Sequence, residues 1–223
     1  MASEKPLVVI VPDNTLVISA TDTGVGKTWL TVELALGLQA RGVPVAIRKP
    51  VQSFDPGDRT TDADLLAEAS GEDPLVVCPG HRRYPLAMAP PMAADALDAP
   101  PIKLAELIDE LELPTAGVAL IEGVGGPRSP LTHDGDTVDL ARAVDAKRVV
   151  LVTKPGLGTI NATLLSASAF DGMDVTVFLN HFDKANPLHA ANRQWLATRA
   201  HLEVVTDPAD LIARITAIKT EDR

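Results

Sequence analysis

Residues Thr15–Ala20 form an aliphatic run. It leads directly into Thr21-Asp22-Thr23-Gly24-Val25-Gly26-Lys27-Thr28, and the helical pattern Lys27–Ala40 follows. A buried strand, a glycine-bearing turn ending Gly-x-Gly-Lys-Thr and a helix, in that order, match a phosphate-binding P-loop. In that geometry backbone N–H groups and the helix N-terminus surround phosphate oxygens. Lys27 would neutralise the β- and γ-phosphates, and the Thr28 hydroxyl would ligate Mg²⁺. Gly24 and Gly26 allow unusual dihedrals and a close backbone approach to the ligand. The full pattern has Gly where this chain has Ala20, so Ala20 must sit at negative φ or the loop must be reshaped. The competing reading, an ordinary strand–turn–helix, explains the glycines but not the Lys-Thr pair that follows them.

The rest of the chain repeats the alternation. Short aliphatic runs at 45–48, 117–121, 148–153, 175–179 and 202–205 read as strands. Helical patterns at 62–69, 102–111, 137–144, 159–170, 187–199 and 211–218 lie between and after them. The Pro-rich stretch Cys78–Pro101 reads as irregular structure with one short helix. Doubly buried strands alternating with helices predict an α/β, P-loop NTPase-like fold: a mostly parallel sheet with helices on both faces. Residues 1–14 read as an N-terminal extension, with a small strand at Leu7–Val11, and residues 15–223 as a single domain. Ligands of such sheets bind beyond the carboxyl ends of the strands.

Composition narrows the function. The chain is 46% hydrophobic and 22% charged, which excludes intrinsic disorder; at 3% aromatic, its core must be aliphatic. Cys78 is the single cysteine, so no internal disulfide or cysteine zinc site can form. The net charge of −10 argues against general nucleic-acid binding but permits a small anionic ligand at a locally basic site. No apolar run approaches the roughly 20 residues that span a bilayer. Leu7–Val11 is short, follows Glu4 and is cut by Pro12-Asp13-Asn14, unlike a signal peptide. The expected location is cytoplasmic, without a membrane partner.

Loops after the other strands carry further candidates. Lys49, fixed by Pro50 at a strand's end, would sit beside the phosphates; its bland alternative is a solvated lysine. Asp62 and Asp64 start a helix and could cap it, or one could serve a Mg²⁺–nucleotide site that wants carboxylates besides the P-loop hydroxyl. Glu122 follows the strand 117–121 and precedes Gly123-Val124-Gly125-Gly126, the position of a second metal ligand. Pro155–Asn161 joins a strand to a helix and can form an anion nest suited to a carboxylate. Asn180 ends a strand and could read a base edge or simply form a turn. The five histidines show no ligand spacing, no Gly-x-Ser-x-Gly setting exists, and Trp29 and Trp195 read as packing residues.

Taken together the segments resemble dethiobiotin synthetase, from about Thr15 to Asn192. The resemblance rests on Thr21–Thr28, Lys49-Pro50-Val51-Gln52-Ser53, Thr61-Asp62-Ala63, Met88–Ala94, Glu122–Gly126, Lys154–Asn161 and Asn180. It implies a homodimeric P-loop enzyme that uses MgATP and CO₂ to convert 7,8-diaminononanoate to dethiobiotin. The steps implied are a carbamate, a carbamic–phosphoric anhydride and ring closure by the second amine. Thr28, Asp62 and Glu122 match the Mg²⁺ ligands; Lys27 and Lys49 match the catalytic lysines that hold carbamate and γ-phosphate. Asp22, Thr23, Gly24, Val25, Gly26, Lys27, Thr28 and Asn180 match the nucleotide site. Thr23, Lys49 and Ser53 match substrate contacts. Gly158 and Asn161 match the segment that receives the substrate carboxylate from a partner subunit. The chain departs from the family pattern at Ala20, Pro127-Arg128-Ser129, Ala162 and Thr176. A related P-loop ligase on another substrate, or a nucleotide-dependent switch protein, remain alternatives.

Overall fold

In the computed structural model, which describes residues 15–217, the six aliphatic runs read as strands after residue 14 all join one sheet. The small strand expected at Leu7–Val11 lies outside the described residues. In chain order the elements are β1 (Thr15–Ala20), α1 (Lys27–Gln39), β2 (Val45–Arg48), β3 (Gln52–Ser53), α2 (Asp62–Ser70) and α3 (Pro74–Val77). A 3₁₀ turn (Gly80–Arg82), β4 (Arg83–Tyr84), α4 (Pro90–Ala96), α5 (Leu104–Asp109), β5 (Val118–Glu122) and α6 (Thr137–Ala143) follow. The chain continues through β6 (Arg148–Thr153), α7 (Thr159–Ser168), β7 (Val175–Leu179), α8 (Pro187–Thr198), β8 (Glu203–Val205) and α9 (Pro208–Ala217).

The main sheet runs β2-β5-β1-β6-β7-β8, with every neighbouring pair parallel. Parallel pairing requires crossovers, and helical crossovers cover both faces. Side chains of β1 alternate accordingly. Leu16, Ile18 and Ala20 pack with Leu30 and Leu34 of α1, Leu66 of α2 and Ile212 of α9. Val17 points to the other layer, with Ile121, Leu140, Val149 and Phe170. Each fully buried Leu, Ile or Phe contributes about 1.5–3 kcal/mol of transfer free energy, so this aliphatic core suffices without aromatic bulk.

Ala20 stays in the strand, paired with Val152, and takes no positive φ. The left-handed conformations fall instead on Gly24 (φ 69°) and Gly26 (φ 101°). Several element bounds differ from the sequence reading. Glu122 is the last residue of β5 rather than the first of a loop, because the ladder pairs it with Ile18. The helix read at 102–111 is only Leu104–Asp109. Ile102 is instead tied to His133, whose Nδ1 accepts from Ile102 N at 2.9 Å. A two-residue parallel ladder joins β3 to β4 in the segment between β2 and α4.

Candidate active site

The carboxyl ends of β1, β2, β5, β6 and β7 share one edge of the sheet, and the candidate residues converge there. The phosphate loop follows β1 and is anchored at its base. Thr21 N donates to Val152 O at 2.9 Å, and Thr21 Oγ1 donates to Thr153 Oγ1 at 3.0 Å. Asp22 Oδ1 accepts from Thr23 N at 2.7 Å. Gly26 caps α1 with no side-chain bond, leaving the helix's first N–H groups to an outside acceptor. A Cβ on Gly26 would lie 2.1 Å from Asn180 Nδ2, so glycine is required by space as well as by its φ. Asn180 itself is buried, donating to Val25 O at 2.8 Å and accepting from His181 N at 2.9 Å.

Lys49 stands at the centre. Its Nζ is 2.6 Å from Glu122 Oε1 and 2.8 Å from Asp62 Oδ2. Glu122 is 0% exposed, whereas the Asp62 side chain is 47% exposed and opens to the cleft. Burial pushes the Lys49 amine's pKa down, but the two carboxylates outweigh it and hold it well above an ordinary lysine. Burial raises the Asp62 carboxyl, and the Lys49 charge more than reverses that, leaving it below the usual carboxylate range. Thr28 Oγ1 donates to Glu122 Oε1 at 2.9 Å. Lys27 reaches across to Gly125 O at 2.9 Å; burial, then the nearby Lys49 charge, lower its pKa to about 8.

Lys27, Thr28, Lys49 and Asp62 line a cleft of about 610 Å³, and Glu122 lies buried behind them, reaching the cleft through Lys49 and Thr28. Its phosphate end is Thr23, Gly24, Gly26, Lys27 and Thr28. Lys49, Ser53 and Asp62 form the middle, and Met88–Pro90 and Trp29 make apolar walls. Ser53 Oγ, at the end of β3, donates to Met88 O in the segment before α4. Ser129, from the unusual Pro127-Arg128-Ser129 segment, accepts from Gly126 N at 2.8 Å and also lines the cleft.

The structure therefore brings Lys27, Thr28, Lys49, Asp62 and Glu122 together. Thr61 and Asp64 form the capping box of α2, which leaves Asp62 free of capping. Gly158 and Asn161 do not join this cleft; they lie exposed at the start of α7. Asn180 lies behind the loop rather than among the lining residues. Trp29 departs from the packing role expected for it: it is 46% exposed and forms part of the cleft wall, 6.3 Å from the Phe178 ring. Thr31 and Gln52 were not singled out by the sequence. Thr31 sits one turn after Lys27, so helical spacing was the available signal; Gln52 lay inside the Lys49–Ser53 motif.

A divalent cation fits these donors. Two carboxylates and a hydroxyl supply hard oxygens, and an ammonium already sits within 2.8 Å of both carboxylates. Among the described residues no cluster of three or more Asp, Glu, His or Cys side chains forms.

The AAA_26 family, an AAA domain, matches residues 14–206. An ATP-dependent dethiobiotin synthetase of Haloferax mediterranei is 36% identical over 208 residues, covering 88% of this chain and 84% of that one. One from Mycobacterium avium is 37% identical over 202 residues, covering 85% of each.

The chain belongs to the dethiobiotin synthetase family.

Among solved structures, a Borrelia burgdorferi plasmid partition protein aligns with TM-score 0.56 over 95% of this chain and all of that one. At 13% identity it shares the fold alone. Membership of the synthetase family separates this chain from such partition proteins, which share its P-loop sheet. No helix among the described residues is long and apolar enough to cross a membrane.

Proposed function

We propose that this protein is an ATP-dependent dethiobiotin synthetase: it carboxylates 7,8-diaminononanoate with CO₂ and closes the ring, releasing ADP and phosphate. The observation that carries this is the meeting of Lys27, Lys49, Thr28, Asp62 and Glu122 at the mouth of the phosphate loop, in a chain of this family.

In this reading one amine of the diamine attacks CO₂ and loses a proton, giving a carbamate. A carbamate oxygen attacks the γ-phosphorus and ADP leaves. The second amine then attacks the carbamoyl carbon, closes the cyclic urea and expels phosphate. Such a sequence needs positioning and charge neutralisation more than covalent help. Lys49 holds carbamate and γ-phosphate together, its charge secured by Glu122 and Asp62. Lys27 leaves Gly125 O for the phosphates, whose negative charge favours its protonated form. The N–H groups of Gly24–Thr28 hold the phosphate oxygens. Thr28, Asp62 and Glu122 hold Mg²⁺, which when bound neutralises triphosphate charge. Thr23 and Ser53 contact the diamine end, and Met88–Pro90 offer an apolar wall to its alkyl chain. Asp22 and Asn180 belong to the nucleotide side. Gly158 and Asn161 take the substrate carboxylate from a second copy of the chain in a homodimer. The domain is single from residue 15 onward.

The test is product formation. Purified protein with ATP, Mg²⁺, bicarbonate and the diamine is expected to yield dethiobiotin by mass spectrometry, with phosphate release that needs diamine and bicarbonate together. Equal phosphate release without diamine would overturn the synthetase reading. CTP run in parallel measures base preference.

A further inference from the structure

Thr31 lies on α1 one turn beyond Lys27 and is completely buried. Its Oγ1 is 2.8 Å from Glu122 Oε2 and 3.0 Å from Lys27 O. The hydroxyl has one proton, and an ionised carboxylate is a stronger acceptor than a helical carbonyl, so the proton goes to Glu122. The other carboxylate oxygen, Oε1, takes Thr28 Oγ1 and Lys49 Nζ. Glu122 is thus held with Oε2 fixed by Thr31 and Oε1 shared by Thr28 and Lys49, both of which line the cleft. The terminal torsion of a glutamate is soft, so bonds to both oxygens, not rotamer preference, fix the plane of this carboxylate.

We infer that Thr31 is a positioning residue: it locks Glu122 Oε2 and so aims Oε1 at Lys49 and at the cation of the triphosphate. This rests on the metal role proposed for Glu122. Without the hydroxyl, Oε2 would be a buried acceptor lacking this donor, and the carboxylate would rotate to find another, taking Oε1 off line. The effect belongs to cation binding, not to the nucleotide's own contacts with the loop. Groups that orient a metal ligand in this way typically matter ten- to a hundredfold for metal affinity.

The experiment is a Mn²⁺ titration followed by electron paramagnetic resonance, on the full chain with a non-hydrolysable ATP analogue. Thr31→Val keeps the volume and removes the hydroxyl; it is expected to raise half-saturating Mn²⁺ roughly tenfold while metal-free analogue binding stays within about twofold. Thr31→Ser restores the donor and should return Mn²⁺ affinity to within about twofold of the parent. Thermal melting of each variant separates folding from binding, and Thr31→Ala serves if the valine form does not fold. A hydroxyl-less variant that melts lower but titrates like the parent overturns the inference, leaving Thr31 a packing residue. Glu122→Gln distinguishes the two levels. If it loses Mn²⁺ while Thr31→Val and Thr31→Ala do not, only the Thr31 inference fails; if it leaves Mn²⁺ unchanged, the metal reading of Glu122 fails with it.

Discussion

Lys49 holds its positive charge against the downward pull of burial, because Glu122 and Asp62 both lie within 2.8 Å. The same geometry makes the residue costly to delete. Removing one partner of a buried pair leaves an uncompensated charge and costs about 3–5 kcal/mol. Here Glu122, with 0% exposure, would retain Thr28 and Thr31 as donors but lose its nearest ammonium. Lys49→Ala is therefore expected to abolish dethiobiotin formation, to bind nucleotide still through the loop N–H groups, and to unfold at lower urea. Turnover at the parent rate would remove Lys49 from the mechanism; unchanged stability would mean that the site repacks around Glu122. At this scale the meeting of Lys49 and Glu122 was readable in the sequence. Lys49 and Glu122 each end an aliphatic run, and strand ends of a parallel sheet face one edge. Helical spacing put Thr31 one turn after Lys27, but its role was not readable, since it depends on a carboxylate 91 positions away that the β1–β5 pairing brings near.

Asp62 depends on how α2 begins, and Gln52 of β3 controls that start. Gln52 Oε1 accepts from Ala63 N at 3.1 Å, and its Nε2 donates to Thr61 Oγ1 at 3.1 Å. One buried carboxamide thus holds the residues on both sides of Asp62. Gln52→Leu preserves bulk and removes both bonds. It is expected to cost about 1–3 kcal/mol in urea unfolding, two neutral bonds at ~0.5–1.5 kcal/mol each, and to raise half-saturating Mg²⁺ in the product assay. An unchanged Mg²⁺ midpoint would mean that the Thr61–Asp64 capping box sets Asp62 unaided. The contrast in what could be read is physical. β1, β5, β6 and β7 are buried aliphatic runs and announce themselves. β3 and β4 are two residues each, too short for any period. α5 starts at Leu104 because Asp134 Oδ1 accepts Leu104 N at 2.9 Å, a cap supplied from 30 residues away. The start of α9 at Pro208 was readable, since Asp207-Pro208 is a cap followed by proline at the first helical position, yet the reading began at Leu211.

For the whole molecule, α7 poses the remaining question of assembly. Thr159 and Thr163 are its buried residues, whereas Leu157 just before it is 94% exposed and Leu165 is 67% exposed. An apolar helix face left open beside Gly158 and Asn161 fits the proposed homodimer, in which this segment meets the substrate of the other copy. The opposite, buried side of α7 is joined to the phosphate loop. Thr21, Thr153, Thr159 and Thr163 form a run of hydroxyl contacts at 3.0, 3.2 and 3.4 Å, so packing at α7 bears on the base of the nucleotide site. Leu165→Glu places a charge on the open face, away from the run of threonines. Light scattering after gel filtration is expected to show the parent as a dimer and this variant as a monomer. The monomer should bind ATP analogue as the parent does, because the loop N–H groups and Lys27 come from one chain. It should lose diamine-dependent phosphate release if, as proposed, Gly158 and Asn161 of the second copy take the substrate carboxylate. A parent that is monomeric yet turns over would remove the partner from the active site. A charged variant that stays dimeric and active would move the interface off α7.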